Sequence, residues 1–391
     1  MRHRPGRRPS NLAQVILGRK FGRDSAAARA ARRHESSPMK RIVTTALAAS
    51  VALGLAACGS DSGDGSGSGR GDTSVTLVTH DSFAVSDDVL KAFEKQSGYK
   101  VDILKAKDAG SAVNQAVLSK DNPQGDVFFG IDNTLLSRGL DNGIFTPYKA
   151  KGLDRIPGEF QLDAGEHRVT PVDYGDVCVN YDRAYFEEKN LDPPQTFDDL
   201  ADPRYKDLLV TENAATSSPG LAFLLATADA YGKGEGWEDY WGELRDNGVE
   251  VVDGWEQAYY ERFSGAGKGD KPLVVSYASS PPVLDMESRP EEATTGVSTG
   301  TCFRQIEFAG LLANAGNAEG GKALLDFLIG ERFQQDMPLN MFVHPVRENT
   351  ELPEVFTRYG EEIADPHTLD PAVIDGNREQ WIKTWTSLVV K

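Results

Sequence analysis

The chain has 391 residues, with 42 Lys and Arg against 59 Asp and Glu, a formal net charge of −17 and 39% hydrophobic residues. This length allows two domains with proper cores, and the composition excludes collagenous, fully disordered and multi-span membrane proteins. The sequence therefore predicts a soluble globular body.

Basic residues cluster at the N-terminus and predict an export signal. Residues 1–38 carry ten Lys and Arg and only two acids, and an apolar run at residues 42–55 follows Lys40 and Arg41. This run is too short to span a bilayer as a permanent helix. A basic stretch, a short apolar run and small residues before a cleavage point predict a secretory signal peptide at residues 39–57. Residues 1–38 are interpreted as a basic leader upstream of a true start at Met39, with a genuine basic extension as the alternative.

The small residues before Cys58 look like a bacterial lipobox, in which the Cys is lipidated and becomes the first mature residue. An ordinary signal peptide with a Cys near its cleavage site is the alternative. Residues 58–74 form a tether rich in Gly, Ser and Asp, as a surface-anchored domain needs. The sequence thus predicts a lipid anchor on Cys58 and a location on the outer face of the cytoplasmic membrane.

The mature chain after Cys58 processing is strongly acidic. It has 334 residues, of which 30 are basic and 57 acidic, for a net charge of −27. Nucleic acid and anionic lipid would be repelled by such a body. The charge suits an exported protein with a neutral or cationic ligand and no nucleic-acid partner.

Cys178 and Cys302 are the two remaining cysteines of the exported chain. In an oxidising compartment, an even pair in strand-like surroundings favours a disulfide over two free thiols. Closing a loop of this length would stabilise the fold by roughly 4 to 5 kcal/mol in the chain-entropy model.

After the tether, short apolar strands alternate with amphipathic helices. Strands are predicted at residues 75–79, 100–104 and 126–130, and helices after Ser86 up to Gly98, at 111–119 and from Thr134. This alternation is typical of a parallel α/β layer. Ligands bind beyond the carboxyl ends of strands in such sheets, which places His80, Asp81 and Asp132 toward a ligand. A helix cap or a solvated turn is the alternative for each.

The middle of the chain adds a strand at residues 172–182 that could cross between two lobes, and another at 208–211. Ser217 opens an apolar helix, residues 221–230, whose free N–H groups could hold an anion or a polar group. Trp255 and Tyr259 lie four residues apart and would share one helix face, either in the core or as a cleft wall. From residue 305, helices are predicted at 308–315 and 318–329, and a last helix carries Arg378 and Trp385.

Motifs for catalysis and metal binding are absent from the sequence. The six His show no metal-ligand spacing, and there is no Gly-x-Ser-x-Gly elbow. The sequence therefore predicts no catalytic residue, no metal and no cofactor, and a protein that is not an enzyme.

From about Val75 to its end, the chain resembles the thiamine-binding component of bacterial thiamine ABC importers, a periplasmic-binding-protein-like family of type II. The matching segments occur in family order across nearly the whole mature chain. They are residues 81–83, 130–133, 173–175, 217–221, 254–255 with 258–259, 276–277 with 280–281, 345–346, and Arg378, Gln380, Trp381, Ile382 and Trp385.

The resemblance implies an α/β fold of two lobes joined by hinge strands, with a ligand cleft between them. Lobe one would comprise residues 75–175 and 304–391, and lobe two residues 176–303. A disulfide between Cys178 and Cys302 would brace the second lobe beside the hinge. The implied partners are thiamine or a thiamine phosphate and the permease and ATPase subunits of the importer.

The resemblance also implies roles for individual residues. Thiamine is a cation with two aromatic rings, so its site needs aromatic faces and acids. Trp255, Tyr277 and Tyr259 would supply faces, and Asp132 and Asp81 charge, while Ser217 would meet the hydroxyethyl or phosphate group. His80 and Phe342 stand where the family has Tyr and Trp, and Val283 stands where it has another Tyr. The full predicted ligand-binding set is His80, Asp81, Asp132, Ser217, Trp255, Tyr259, Tyr277, Ser280 and Phe342.

Two other functions fit parts of the sequence. Adjacent Tyr259 and Tyr260 are similar to the tyrosines with which some relatives bind ferric iron. A thiaminase-like enzyme would use Cys178 as its nucleophile beside a base such as Asp176, which requires a free thiol.

Overall fold

The computed structural model describes residues 73–232 and 236–390. The predicted leader, the signal peptide, Cys58 and nearly all of the tether lie outside the described residues. Within the described ranges, every helix is too short or too polar to cross a membrane.

Ten strands lie in this part of the chain. They are β1 (Ser74–Thr79), β2 (Lys100–Lys105), β3 (Val127–Asp132), β4 (Phe145–Thr146), β5 (Thr170–Asp182), β6 (Leu209–Glu212), β7 (Glu250–Val252), β8 (Leu273–Tyr277), β9 (Thr295–Leu312) and β10 (His344–Pro345).

Twelve α-helices accompany these strands over the same residues. They are α1 (Asp87–Ser97), α2 (Ala109–Leu118), α3 (Leu136–Asp141), α4 (Arg183–Lys189), α5 (Phe197–Ala201), α6 (Ser218–Tyr231), α7 (Gly236–Asp246), α8 (Ser280–Leu284), α9 (Ala318–Leu328), α10 (Glu331–Met341), α11 (Glu354–Tyr359) and α12 (Pro371–Val389). Short 3-10 turns lie at Leu153–Arg155, Gly158–Phe160 and Pro203–Tyr205, and a π-helical turn at Gln257–Arg262.

Local sequence explains where several helices begin and end. Gly98 ends α1 in the left-handed region, at φ 78°, and its N–H donates to the carbonyl of Glu94. Asp370 begins α12 by accepting the N–H of Ala372, and Pro371 occupies the first helical position, where its missing N–H costs nothing. The predicted helix stop at Gly98 is therefore confirmed.

The ten strands form one sheet, in which eight follow the order β2-β1-β3-β9-β5-β8-β6-β7, while β10 pairs with β5 and β4 with β9. β1 pairs in parallel with β2 and β3 at one end, and β6 pairs in parallel with β7 and β8 at the other. The long strands β5 and β9 pair antiparallel between these parallel sets and belong to both. The sheet thus curls into two lobes joined by crossing strands, which confirms the predicted two-lobed α/β fold.

A disulfide between Cys178 and Cys302 lies where the pairing of the crossing strands shifts. Val177 pairs with Phe303, but Val179 pairs with Ser298, so residues 299–302 bulge opposite Cys178. The Thr301 hydroxyl accepts the N–H of Val179 at 2.9 Å and helps to fix the bulge. The predicted disulfide is confirmed, and no free thiol is left at Cys178 for a nucleophile.

The helix predicted at residues 308–315 is wrong, because most of this segment continues strand β9. Ala309 pairs with Phe129 and Leu311 pairs with Val127, while β5 flanks the other side. Phe308 and Ala309 are both fully buried, so the strand is apolar on both faces. Such a strand lacks the alternation that distinguishes a strand from a buried helix.

The C-terminal helix α12 connects the two lobes on the outside of the sheet. It packs on α3 of the first lobe and on α7 of the second. Trp385 of α12 is fully buried, and its ring meets Trp241 edge to face at 5.4 Å. This packing fixes the side chains of α12, including Arg378, beside the start of α6.

Candidate functional site

The candidate site lies where the carboxyl ends of strands from both lobes meet. β1 ends before His80 and β3 ends at Asp132 in the first lobe. From the second lobe, β6 leads to Ser217 and β8 ends at Tyr277. The parallel strand sets thus bring most of the sequence-predicted residues to one cleft.

Aromatic side chains form one wall of this cleft. The rings of Trp255 and Tyr259 stack at 4.9 Å with an interplanar angle of 13°. Phe342 meets Trp255 edge-on at 5.7 Å, and Tyr277 meets it at 6.4 Å. Trp255 and Tyr259 are nearly or fully buried, whereas Phe342 and Tyr277 are partly exposed. A flat ligand ring could pack against the partly exposed edges of this cluster.

Hydrogen bonds hold Trp255 in one orientation. Its indole Nε1 donates to the hydroxyl of Ser276 at 2.9 Å, and Ser276 is hydrogen-bonded to Ser280 at 2.9 Å. Its backbone N–H donates to Asp108 at 2.9 Å. Ser280 therefore supports the aromatic wall through Ser276, and both serines are fully buried.

Phe342 reaches the wall from an unusual backbone conformation. It ends helix α10 at φ 64°, a region that bulky side chains seldom adopt. Its carbonyl accepts a hydrogen bond from the hydroxyl of Ser279. Such conformations persist where the surrounding contacts demand them, and they cluster at ligand sites.

Asp132 lies fully buried at the end of β3. Its Oδ1 accepts the N–H and hydroxyl of Thr134 at 3.0 and 2.6 Å, and the N–H of Leu135 at 3.2 Å. Its Oδ2 accepts from the Gln305 amide. Burial raises the pKa of Asp132, while these hydrogen bonds oppose the rise. The side chain thus fixes a turn and also anchors Gln305.

Gln305 of β9 connects groups from both lobes. Its Nε2 also donates to the hydroxyl of Ser218 at 2.7 Å, and its Oε1 accepts the hydroxyl of Tyr277 at 2.7 Å. Asp132, Gln305 and Tyr277 therefore form a continuous chain across the cleft. Tyr277 is held with its ring beside the acids of the first lobe.

Asp173 and Glu307 form a buried carboxyl pair on the crossing strands. Burial raises the pKa of Glu307 to about 8 and that of Asp173 well above its ordinary value. Because the negative charge of Glu307 also opposes ionisation of Asp173, the two carboxyl groups do not both ionise near neutral pH. The pair therefore holds one proton that a nearby cation could displace.

His80 lies against this pair. Its Nε2 is 3.4 Å from Glu307 Oε1, and its Nδ1 is hydrogen-bonded to Ser82 at 2.8 Å. Burial lowers the pKa of His80, although Asp108 and Asp81 oppose this shift. The imidazole is therefore a mainly neutral, polar wall of the site near neutral pH.

Asp108 joins the two lobes from the start of α2. Its Oδ1 accepts the N–H of Ser218 at 3.2 Å, and its Oδ2 accepts that of Trp255. Burial raises its pKa to about 6, and the negative charge of Asp81 adds to the rise. The backbone carbonyl of Asp81 accepts a hydrogen bond from Lys105 Nζ at 2.8 Å.

Ser217, a predicted site residue, and Val283, a departure from the family pattern, have different surroundings from the other residues of the site. Ser217 stands at the N-cap position of α6, where its side chain makes no capping hydrogen bond, and lines a separate cavity together with Arg378. Val283, where the resemblance led us to expect a Tyr, is buried among Val355, Phe356 and Tyr359.

The sequence reasoning did not assign Asp108, Asp173, Gln305 or Glu307 to the site. Asp108 follows a predicted strand just as Asp81 and Asp132 do, so the strand-end rule that selected those two could have found it. Gln305 and Glu307 alternate along one face of β9. This alternation was not recognised, because a helix was predicted over the next residues, 308–315.

The charge of the cleft is negative and its walls are aromatic. The carboxyl groups of Glu307, Asp132, Asp108 and Asp173 all act on Tyr277, and together with burial they raise its pKa. A cation in such a site gains from the acids and from the π faces. The arrangement is suited to an organic cation that carries aromatic rings.

Comparison with known proteins places this architecture among binding proteins. The family of bacterial extracellular solute-binding proteins matches residues 122–281. The thiamine-binding periplasmic protein of Escherichia coli (strain K12) is 28% identical over 323 residues, which cover 81% of this chain and 93% of that protein. That of Brucella suis biovar 1 (strain 1330) is 27% identical over 325 residues, covering 80% and 91%.

Solved structures of binding proteins share the architecture of this chain. A periplasmic thiamin binding protein superposes with a TM-score of 0.72 at 27% identity, covering 81% of this chain and 96% of that one. Iron-bound HitA from Pseudomonas aeruginosa superposes with a TM-score of 0.64 at 16% identity, covering 81% and 99%, and shares the fold.

The two-lobed sheet, the cleft and these matches give the chain the architecture of a type II periplasmic binding protein, and the matched relatives are periplasmic proteins. Within that class, it is similar over most of its length to thiamine-binding periplasmic proteins. The matched relatives are substrate-binding proteins rather than enzymes, so the prediction that the chain is not an enzyme is confirmed.

Proposed function

We propose that the cleft binds thiamine or a thiamine phosphate, and that the chain delivers this ligand to the permease of an ABC importer. The observation that carries the proposal is that a stacked aromatic wall meets the carboxyl groups of Asp108, Asp132, Asp173 and Glu307 in one cleft. The names of the thiamine-binding relatives, each matched over 81% of this chain, support the same ligand.

In this proposal the thiazolium cation lies near the carboxyl pair of Asp173 and Glu307, and a ligand ring packs on the wall of Trp255, Tyr277 and Phe342. Asp108 and Asp132 contribute negative charge and hold the two lobes around the ligand. His80, Asp81, Tyr259 and Ser280 support these groups. Cys58 would carry a lipid that keeps the protein beside the permease, and lobe one would comprise residues 75–175 and 304–391.

Titration of the purified chain with thiamine tests the proposal. We expect saturable quenching of tryptophan fluorescence, with the phosphate esters and the free pyrimidine ranked by competition. The Trp255→Phe variant identifies which of the five tryptophans responds. Absence of saturable binding by calorimetry as well as by fluorescence would reject thiamine as the ligand.

Ferric iron is the second candidate ligand, since an iron uptake protein of Synechocystis is 21% identical over 327 residues. Tyr259, however, lies fully buried under Trp255, and the described residues contain no group of three or more His, Cys, Asp or Glu placed to hold a metal ion. An iron-loaded protein would be coloured. A visible absorption band on adding ferric citrate would favour iron over thiamine.

A further inference from the structure

The start of helix α2 in the first lobe lies against the start of helix α6 in the second. The backbone N–H of Ser111 donates to the carbonyl of Thr216 at 2.9 Å. The carboxylate of Asp108 accepts the N–H groups of Ser218 at 3.2 Å and of Trp255 at 2.9 Å. Three hydrogen bonds therefore join the lobes at one place. We call residues 108–111, 216–218 and 254–255 the clasp.

The clasp supplies both helix starts with hydrogen-bond acceptors from the opposite lobe. Asp108 stands at the N-cap position of α2, where an Asp side chain ordinarily accepts an N–H of its own helix, but it makes no such bond. It accepts the N–H of Ser218 instead, the first residue of α6. The N–H of Ser111, in the first turn of α2, has its acceptor in the second lobe. N–H groups that each helix leaves free at its start are thus capped from the other lobe.

Gly110 allows the backbones of the two lobes to touch within the clasp. A Cβ at this position would lie 2.8 Å from both the carbonyl carbon and the carbonyl oxygen of Thr216, closer than real Cβ atoms come. The obstacle is backbone, which cannot rotate away as a side chain can. Thr216 is also fixed within its own lobe, because its hydroxyl donates to the carbonyl of Asp253 at 2.7 Å. A methyl group at position 110 would therefore hold the lobes apart.

Gly254 gives the matching clearance on the side of the second lobe. A Cβ at this position would lie 2.9 Å from Asp108 Oδ2 and 3.1 Å from Asp108 Cβ. That oxygen accepts the N–H of Trp255, so Asp108 cannot turn aside without losing this hydrogen bond. Neither Gly110 nor Gly254 has a left-handed backbone. Both glycines are therefore needed for space between the lobes, and not for a backbone conformation that other residues avoid.

We propose that Gly110 and Gly254 are positioning residues for ligand binding, because they permit the clasp that holds the two lobes together around the cleft. Trp255 and Asp108 belong both to the clasp and to the cleft, so the cleft is complete only when the clasp is formed. The apparent affinity for a ligand falls in proportion to the fraction of chains in the competent arrangement. The two glycines therefore control affinity without contacting the ligand. Only the use of thiamine as the probe rests on the proposed function.

Gly110→Ala in the full chain tests the proposal. In hydrogen exchange of the ligand-free protein, peptides that contain Ser111, Ser218 or Trp255 should exchange about tenfold faster, and strands β3 and β9 at an unchanged rate. Thiamine affinity should fall about tenfold, in step with the loss of clasped chains and mainly through faster dissociation. The melting temperature should change little, because the higher helix propensity of Ala offsets the lost contacts. A general loss of folding would instead lower it and speed exchange in β3 and β9 as well.

Gly254→Ala approaches the clasp from the second lobe and should give the same pattern, which keeps the proposal testable if Gly110→Ala does not fold. The matched control is Gly165→Ala, since a Cβ at Gly165 meets no atom within 4 Å and should change neither exchange nor affinity. Faster exchange in the clasp of a chain that does not bind thiamine would keep the clasp and reject the proposed function. Unchanged exchange in both clasp variants, or unchanged thiamine affinity despite faster exchange, would overturn the proposal.

Discussion

The carboxylate of Asp108 accepts the backbone N–H of Trp255 at 2.9 Å, and this contact joins the two lobes. The same carboxylate accepts the N–H of Ser218 and has its pKa raised to about 6 by burial. One acid thus fixes the position of the aromatic wall and also contributes to the charge of the cleft. The contact between the lobes and the negative charge offered to a cation therefore depend on the same carboxylate.

Thiamine affinity should rise with pH between pH 6 and pH 8.5. A cation in the cleft favours ionised carboxylates, but the Asp173–Glu307 pair holds a proton, with the pKa of Glu307 at about 8. A pKa change of one unit corresponds to about a tenfold change in affinity, which is the rise we expect. Calorimetry in two buffers of different ionisation enthalpy should show proton release on binding. Glu307→Gln should flatten the profile, and a flat profile in the unchanged protein would contradict this account.

The stability of the ligand-free protein should change with pH in the opposite direction. Glu307 and Asp108 have raised pKa values in the folded chain, so the folded state binds more protons than the unfolded state. The free energy of unfolding then falls as pH rises from the ordinary pKa to the raised one, that is from 4.5 to about 8 for Glu307. We expect a lower melting temperature at pH 8 than at pH 5.5, and a smaller difference in Glu307→Gln. An equal or higher melting temperature at pH 8 would show that ionising these carboxyl groups does not destabilise the folded state.

Loss of the Trp255 ring should weaken thiamine binding. Trp255→Ala removes the largest face of the aromatic wall, and we expect an affinity loss of at least about tenfold, or roughly 1.4 kcal/mol. Trp255→Phe keeps a ring at the position and should lose much less. Calorimetry measures both, and circular dichroism melts check that each variant is folded. An unchanged affinity in a folded Trp255→Ala protein would remove this residue from the site.

Removal of the disulfide should cost stability more than binding. Cys178 and Cys302 are buried and separated by 124 residues in sequence. A double Cys→Ala variant should lose about 2 to 5 kcal/mol of unfolding free energy, because the unfolded chain gains freedom. Urea unfolding measures the loss. The two cysteines pack in a separate cluster with Ala278, Val297 and Ile363, so thiamine affinity should change little. An unchanged urea midpoint would show that the bridge does not stabilise the fold.

The parts of the fold in which short strands alternate regularly with helices could be predicted from the sequence. The strands β1, β2 and β3, the helix stop at Gly98 and the disulfide follow from local patterns that need no tertiary information. Strand β9 could not be recognised, because both of its faces are buried near Phe308 and the apolar run then fits helix and strand equally well. That burial is created by neighbours distant in sequence.

The aromatic wall was predicted as a set of residues but not as an arrangement. The spacing of Trp255 and Tyr259 indicated a shared face, and the structure stacks them. That Phe342 joins them depends on its left-handed backbone at the end of α10, which no local pattern at a bulky residue predicts. The Gln305 bridge likewise depends on strands more than 170 residues apart in sequence.

The close approach of Gly175 to the Tyr277 ring gives a test of how tightly the site is built. A Cβ at position 175 would come within 2.8 Å of Tyr277 Cδ1, a distance that real Cβ atoms do not show. Gly175→Ala must therefore move the Tyr277 ring and disturb its 2.7 Å hydrogen bond to Gln305. Loss of one such hydrogen bond and of the ring position should weaken thiamine binding about tenfold.

Gly158→Ala is the matched control for this substitution. A Cβ at Gly158 meets no atom within 4 Å, and its backbone is not left-handed, so the change should leave both folding and binding intact. Calorimetry should then show a loss of affinity in Gly175→Ala alone, with melting curves that confirm a folded chain in both variants. Equal affinities in the two variants would mean that the Tyr277 ring can shift without consequence, and that its contact with Gln305 does not shape the ligand site.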